Sequence, residues 1–286
     1  AMGGFSIFND SIQLNIANPA SFSELKSTAF TIGANSSFSK YNTNEVIEKA
    51  QRTNIDYLAI GFPYGKFGFT FGIMPYSAVG FKIENTAIQT DNTERNYRNL
   101  GEGNVNKIYF GAAYSINKKL SFGFDLGYNF GDITTQYVES IYSPIVLQLR
   151  SREKNNSKIN GISLNTGFLY KTKINSKLDL NAGITYQPEA TLNSENERKI
   201  ATIIYNINGA ELISEENEIA VNDTKLKIPT KFSFGLGIGE NKKWAIGSEL
   251  TFANNNSMTN RFGSIQNVSF ENSTKVAVGG FYVPKY

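Results

Sequence analysis

The sequence predicts an all-β chain folded as a transmembrane antiparallel β-barrel. Three observations carry that prediction. About ten segments alternate apolar and polar side chains, the connections between them are short and long in turn, and no stretch approaches the roughly 18 uncharged apolar residues that a spanning helix requires. If the chain crosses a bilayer, strands must do so.

The clearest segment is Lys119-Leu120-Ser121-Phe122-Gly123-Phe124-Asp125-Leu126-Gly127-Tyr128-Asn129-Phe130. Its even positions are large and apolar, and its odd positions are small, polar or charged. Successive strand side chains point to opposite faces, so this is a ribbon with one greasy and one wet side. Leu120, Phe122, Phe124, Leu126 and Tyr128 should face lipid or a partner barrel. Asp125 and Asn129, which a dry core would not accept unpaired, should face a lumen.

The same reading applies along the chain. The first segment runs from about Ala29 to Lys40, and the second holds Leu58, Ile60 and Phe62. The third sets Phe67, Phe69, Phe71 and Ile73 against Gly68, Thr70 and Gly72. The fourth carries Ile108, Phe110, Ala112, Tyr114 and Ile116. After the Lys119 ribbon come Ile162 to Tyr170 and Leu178 to Tyr186. The eighth alternates Phe232, Phe234, Leu236 and Ile238 with serine and glycine. The ninth runs from Trp244 to Phe252 and the tenth from Lys275 to Val283.

Tight turns are expected at Pro63–Lys66, Asn117–Lys119, Asn175–Lys177 and Glu240–Lys243. Long polar loops are expected at Asn42–Thr53, Glu84–Gly103, Ile133–Asn160, Pro188–Asp223 and Asn254–Thr274. This rhythm is that of outer-membrane barrels, with turns periplasmic and loops extracellular. Inside the fourth loop, Lys199–Ile207 is apolar enough to pair with about Ala210–Val221 as an extracellular hairpin. Ten residues at about 3.3 Å each, tilted near 40°, cover roughly 25 Å, the height of an apolar band. Tyr64, Tyr128, Phe130, Tyr186 and Trp244 gather at the segment edges, as interfacial aromatics do.

Composition narrows the function. The 286 residues carry 28 basic and 25 acidic side chains, and a net charge of +3 selects no nucleic-acid partner. Cysteine is absent, which removes disulfides and thiolate chemistry. Histidine is absent as well, so Ser-His-Asp triads, His-based zinc sites and His general bases cannot be built. Only carboxylate, Lys or Tyr chemistry stays open, and no catalytic residue, metal ligand or cofactor is assigned. Gly235-Leu236-Gly237-Ile238-Gly239 superficially suggests a nucleotide loop, but no helix start follows it. Glu215, Glu216 and Glu218 match no calcium-loop spacing and suit a solvated face. Lys118-Lys119 and Lys242-Lys243 sit in short turns, where solvation is the default reading.

The first thirty residues break the strand pattern. Phe5, Ile7, Phe8, Ile12, Leu14 and Ile16 are apolar but irregular, and they end in Asn18-Pro19-Ala20. No leader with a charged start and an apolar centre is visible, so a barrel chain is expected here in mature or trimmed form.

Ala1-Met2-Gly3-Gly4, Asn9-Asp10 and Asn18-Pro19-Ala20-Ser21-Phe22 together resemble the N-terminal signature of FadL-type outer-membrane transport proteins. The resemblance implies residues 1–28 as an N-terminal hatch and residues 29–286 as the barrel, located in the cell outer membrane. It implies uptake of hydrophobic compounds such as long-chain fatty acids. Asn18, Pro19 and Ala20 would form the hatch motif, and Phe5, Ile7, Phe8 and Leu14 would be candidate contacts for a hydrophobic ligand. FadL-type barrels have fourteen strands. The ten segments here imply either C-terminal strands beyond the chain or a complete ten-stranded barrel with a narrow, filled lumen.

The partners implied are outer-membrane lipid, hydrophobic small molecules and a larger outer-membrane complex. The last belongs to the alternative reading, a non-transporting barrel subunit of a secretion or assembly machine, as in PorV-type barrels. A soluble all-β binding protein is the third reading, and it would require a second sheet to bury the greasy face.

Overall fold

The computed structural model of the chain describes residues 7, 14–42, 47–88, 90, 93–141, 148–206, 208–240, 243–262 and 268–284. Among them, thirteen strands form one antiparallel sheet. The first six are β1 (Ala29–Asn42), β2 (Ile47–Tyr64), β3 (Phe67–Ile88), β4 (Glu94–Ser115), β5 (Leu120–Ile141) and β6 (Arg150–Lys173). There follow β7 (Leu178–Gln187), β8 (Ala190–Tyr205), β9 (Glu211–Ile219), β10 (Thr224–Ile228), β11 (Lys231–Glu240), β12 (Trp244–Ala253) and β13 (Ser273–Tyr282). No described helix is long and apolar enough to cross a membrane.

The wall follows the order β1-β2-β3-β4-β5-β6-β7-β11-β12-β13, and β8, β9 and β10 branch from it at β6. Those ten wall strands are the ten alternating segments of the sequence. The expected long loops need correcting. Most of Asn42–Thr53, Glu84–Gly103 and Ile133–Asn160 is strand, paired as far as Asn42↔Ile47, Ile88↔Glu94 and Ser140↔Arg150. These residues satisfy their backbone groups in a ladder, yet their buried positions mix Ile133, Val138 and Ile159 with Arg152 and Ser157, so no apolar-polar alternation marks them. Asn254–Thr274 is irregular where described, apart from one 3-10 turn, Asn255–Ser257, and the start of β13. The predicted hairpin forms: β8 pairs with β9 from Arg198↔Ile219 to Tyr205↔Glu211. Glu216 lies within it and pairs with Arg152 on β6.

Turn chemistry explains the short connections. The Asn117 side chain accepts from the backbone N–H groups of Lys119 and Leu120 at 2.8 and 2.9 Å. Asn175 repeats this with Lys177 and Leu178 at 2.9 and 2.8 Å. An asparagine that mimics a backbone turn fixes each hairpin locally. At the β2–β3 turn, Gly65 takes a left-handed φ of 61°, which side-chain-bearing residues avoid.

The two faces of the wall differ. Phe110, Leu126 and Tyr128 are 47, 49 and 50 % exposed on the outer face. Thr70, Ser121, Asp125, Asn129, Ser163, Thr185 and Ser233 are buried on the inner face. This inverts a water-soluble fold, in which the large apolar side chains would go inside. Within the described residues, β1 and β13 are each paired along one edge only.

Candidate functional site

The inner face is occupied at its short-turn end by the N-terminal segment. A 3-10 turn, Pro19–Glu24, packs against β2, β3, β4, β5 and β6. Asn18 starts it: Asn18 Oδ1 accepts from Ala20 N at 3.0 Å and Asn18 Nδ2 donates to the Phe168 carbonyl at 3.3 Å. Pro19 follows at the first position of the turn, where its missing N–H costs nothing.

Glycines on the wall make this seat possible. A Cβ on Gly68 would stand 1.7 Å from the Phe22 carbonyl oxygen, and one on Gly123 would stand 2.5 Å from the Pro19 carbonyl. The backbone of the segment lies directly against the backbone of the wall, an approach only glycine allows. The glycines that alternate with aromatics in the sequence are therefore a docking surface for residues 18–23.

Around this seat, Leu14, Phe22 and Leu25 form an apolar cluster with Ala29, Ala59, Tyr109 and Ala113 of the wall. Ile16, Tyr57 and Met74 pack on its side. Of the candidate ligand contacts, Ile7 is fully buried beside Gly183 and Gly235, and Leu14 is buried over Gly61. Phe5 and Phe8 lie outside the described residues. Asn18, Pro19 and Ala20 come together as one buried unit.

Farther along the strands the inner face is layered. Lys107 Nζ lies 2.5 Å from Asp125 Oδ1, and Asn165 Nδ2 donates to Asp125 Oδ2 at 3.0 Å. The lysine stem lies over Gly127. Asn129 Nδ2 donates to Ser163 Oγ at 2.9 Å. Next comes an apolar layer of Val105, Ile133, Ile159, Leu192 and Ile228. Above it, the segment after β12 crosses to the opposite strands. Arg261 Nη1 donates to the Ile133 carbonyl at 3.0 Å and to Ser157 Oγ at 3.2 Å. The Arg261 carbonyl accepts from Asn196 Nδ2 and Thr224 Oγ1 at 2.9 and 2.6 Å. Sequence reading missed Arg261, because nothing local distinguishes it from other loop arginines.

The pairing of the wall also stops short between β2 and β3. The β2–β3 ladder ends at Leu58↔Ile73, although both strands continue well past it. Beyond that point β2 pairs only with β1, and β3 only with β4, where a bulge lies between Pro75 and Ser77. Proline has no N–H to give a ladder and marks such breaks. Tyr57 and Met74, the residues just past the last pair, rest on the apolar cluster that contains Leu14. Two open clefts lie elsewhere, one on the outer face around Ala112 and one at the rim between Phe38 and Gln51.

An inside-out antiparallel wall with an N-terminal segment against its inner face is the architecture of a membrane-type β-barrel. The chain belongs to the BamG family, whose sequence profile matches residues 1–286. No curated protein matches it. Among solved structures it is similar to the toluene transporter TodX of P. putida, at 13 % identity and a TM-score of 0.59, over 98 % of this chain and 78 % of that one. It is similar to the CymD monoaromatic hydrocarbon channel at 12 % identity and a TM-score of 0.57, over 97 % and 76 % of the two chains. The Ralstonia pickettii toluene transporter TbuX aligns at 13 % identity and a TM-score of 0.54, over 99 % and 80 %. At such identities the likeness is one of fold. These neighbours are described as channels and transporters.

Proposed function

We propose that the chain is a FadL-like outer-membrane barrel that takes up hydrophobic compounds, with residues 1–28 as the hatch and residues 29–286 as the wall. The observation that carries this reading is the meeting of three features at one point. The N-terminal segment, the apolar cluster around Leu14, and the end of the β2–β3 ladder at Leu58↔Ile73 adjoin one another. An apolar solute held against Leu14 and Ile16 has Tyr57 and Met74 on one side, and beyond them a break in the wall. The buried Lys107–Asp125 pair and the Arg261 strap occupy the inner face farther along the strands, so a straight path would require displacing them. Sideways movement into the bilayer avoids it. The neighbours named for toluene and monoaromatic hydrocarbons support a small apolar solute as the cargo.

The test uses the absence of native cysteine. Tyr57→Cys and Met74→Cys would be joined across the break by a short bifunctional thiol reagent in protein reconstituted into vesicles. Toluene entry should fall on cross-linking and recover when a cleavable reagent is cut. Entry that is unchanged by the cross-link sinks the sideways route. Entry no faster than through empty vesicles sinks the transport reading.

One observation favours the second reading, a non-transporting subunit of a larger outer-membrane complex. The β8–β9 hairpin branches from the wall at β6 and stands on long paired strands. Purification in mild detergent separates the two, as a lone barrel or as a stable complex with a large partner.

A further inference from the structure

The short-turn end of the wall carries a second set of features that solute passage does not use. Lys66 sits in the β2–β3 turn, and Lys118 and Lys119 sit in the β4–β5 turn. All three are exposed, and none forms an ion pair among the described residues. The turns are adjacent: Ser115 N donates to the Lys66 carbonyl at 2.9 Å, and Lys171 N donates to the Lys119 carbonyl at 2.7 Å. Neither turn contains an acidic residue. Other basic residues of this end are paired, Lys171 with Glu24 and Lys243 with Glu240, which sets Lys66, Lys118 and Lys119 apart.

Directly beside these lysines the outer face has a notch. Ala112 replaces the large side chain found at neighbouring outward positions and is paired with Phe69 on one side and Phe124 on the other. Phe67, Tyr114 and Phe122 complete the walls of a cleft of about 460 Å³. Phe67 and Tyr114 hold each other with ring centroids 4.8 Å apart, so the notch is braced. An apolar groove on a lipid-facing surface that ends in unpaired cations has the two-part chemistry of a phospholipid.

We propose that this cleft binds one anionic phospholipid of the periplasmic leaflet. An acyl chain lies over Ala112, and the headgroup phosphate is held by Lys66, Lys118 and Lys119. Charge complementarity selects the occupant, because three unpaired ammonium groups around an acid-free turn pair favour a headgroup with net negative charge over a zwitterion. The proposal rests on the outer-membrane reading, with short turns on the periplasmic side.

The test is native mass spectrometry of the full chain in mild detergent, with added phosphatidylglycerol or phosphatidylethanolamine. Phosphatidylglycerol should be retained preferentially, as one molecule per chain. Lys66→Gln/Lys118→Gln/Lys119→Gln should lower its affinity on the order of tenfold to a hundredfold, given the contribution of each basic residue at a lipid surface. Ala112→Phe, which fills the notch from outside and leaves the lumen untouched, should lower occupancy for both lipids. Lys154→Gln/Lys158→Gln on β6, remote from the cleft, should change nothing.

Equal retention of the two lipids, or equal loss from the β6 control, overturns the proposal. So does loss of a co-purifying acidic protein, in place of lipid, from the turn variant. Insertion of each variant into vesicles is scored separately by heat-modifiable migration. A folded, inserted barrel without lipid preference defeats this inference alone, whereas a chain that stays in water without detergent defeats the membrane reading beneath it.

Discussion

Asn18 Oδ1 lies 2.0 Å from the point where a Cβ on Gly167 would stand, while Asn18 Nδ2 donates to the carbonyl of the adjoining Phe168. The residue that opens the 3-10 turn is thus clamped to β6 by the lack of a side chain opposite it. Together with Gly68 and Gly123, this makes the position of the N-terminal segment a property of the wall as much as of the segment.

Gly68→Ala and Gly123→Ala should therefore unseat residues 18–23 without stopping strand pairing. Overpacking of this kind costs roughly 1–3 kcal/mol. Single-channel conductance in planar bilayers should rise, and protease should cut nearer the Pro19 turn. Gly80→Ala is the control, since a Cβ there meets nothing within 4 Å. If the control and the two variants behave alike, the glycine seat is not what holds the segment.

Lys107 and Asp125 have side-chain exposures of only 14 and 4 %. Removing one partner leaves the other charge buried, so Lys107→Met and Asp125→Leu should each destabilise by about 3–5 kcal/mol. The double variant should lose much less, because a pair replaced by apolar side chains carries no uncompensated charge. Urea unfolding followed by tryptophan fluorescence reads this, with Trp244 as the only tryptophan. Additive losses would show that the pair is well solvated.

Arg261 joins the segment after β12 to β5 and β6, and its carbonyl joins it to β8 and β10. In Arg261→Ala the guanidinium contacts vanish and the carbonyl contacts stay. Amide exchange across Asn254–Phe262 should speed up at least about fivefold, since two hydrogen bonds from a charged donor are worth more than 1 kcal/mol. Exchange in β5 should stay as it was. No change at Asn254–Phe262 would mean that the backbone contacts alone hold the strap.

Arg152 is buried and forked between Glu211 and Glu216 on β9. Arg152→Met should fill the place between its cross-strand neighbours Val138 and Ala201 but release β9, so exchange over Glu211–Ile219 should accelerate while β11 and β12 stay protected. Unaltered protection of β9 would assign the hairpin's order to its backbone ladder.

Much of the wall was legible. All ten wall strands were marked by alternation, because within an apolar band each strand must show one face to lipid and the other to a wet interior. Phe122, Phe124 and Leu126 face outward, and Asp125 and Asn129 face inward, as that rule requires. The asparagine turns at Asn117 and Asn175 were legible for a local reason: the side chain bonds the backbone two and three residues on. The β8–β9 hairpin was legible from the apolar run Lys199–Ile207.

The extensions of β3, β4, β5 and β6 were not legible. Their buried positions, such as Ile133, Val138, Arg152, Ser157 and Ile159, mix apolar with polar and charged side chains, so no apolar period is left to read. Nor did any pattern mark Arg261, whose contacts on β5 lie 128 residues away.

The sequence by itself determined the strands, their faces and the short turns, since all three follow from interactions within a few residues and from one uniform solvent boundary. Only the tertiary structure decided where the N-terminal segment sits, where the β2–β3 ladder stops and which inner residues meet as layers. Those outcomes depend on backbones approaching across the lumen at glycines that, in sequence, are simply the small half of an alternation.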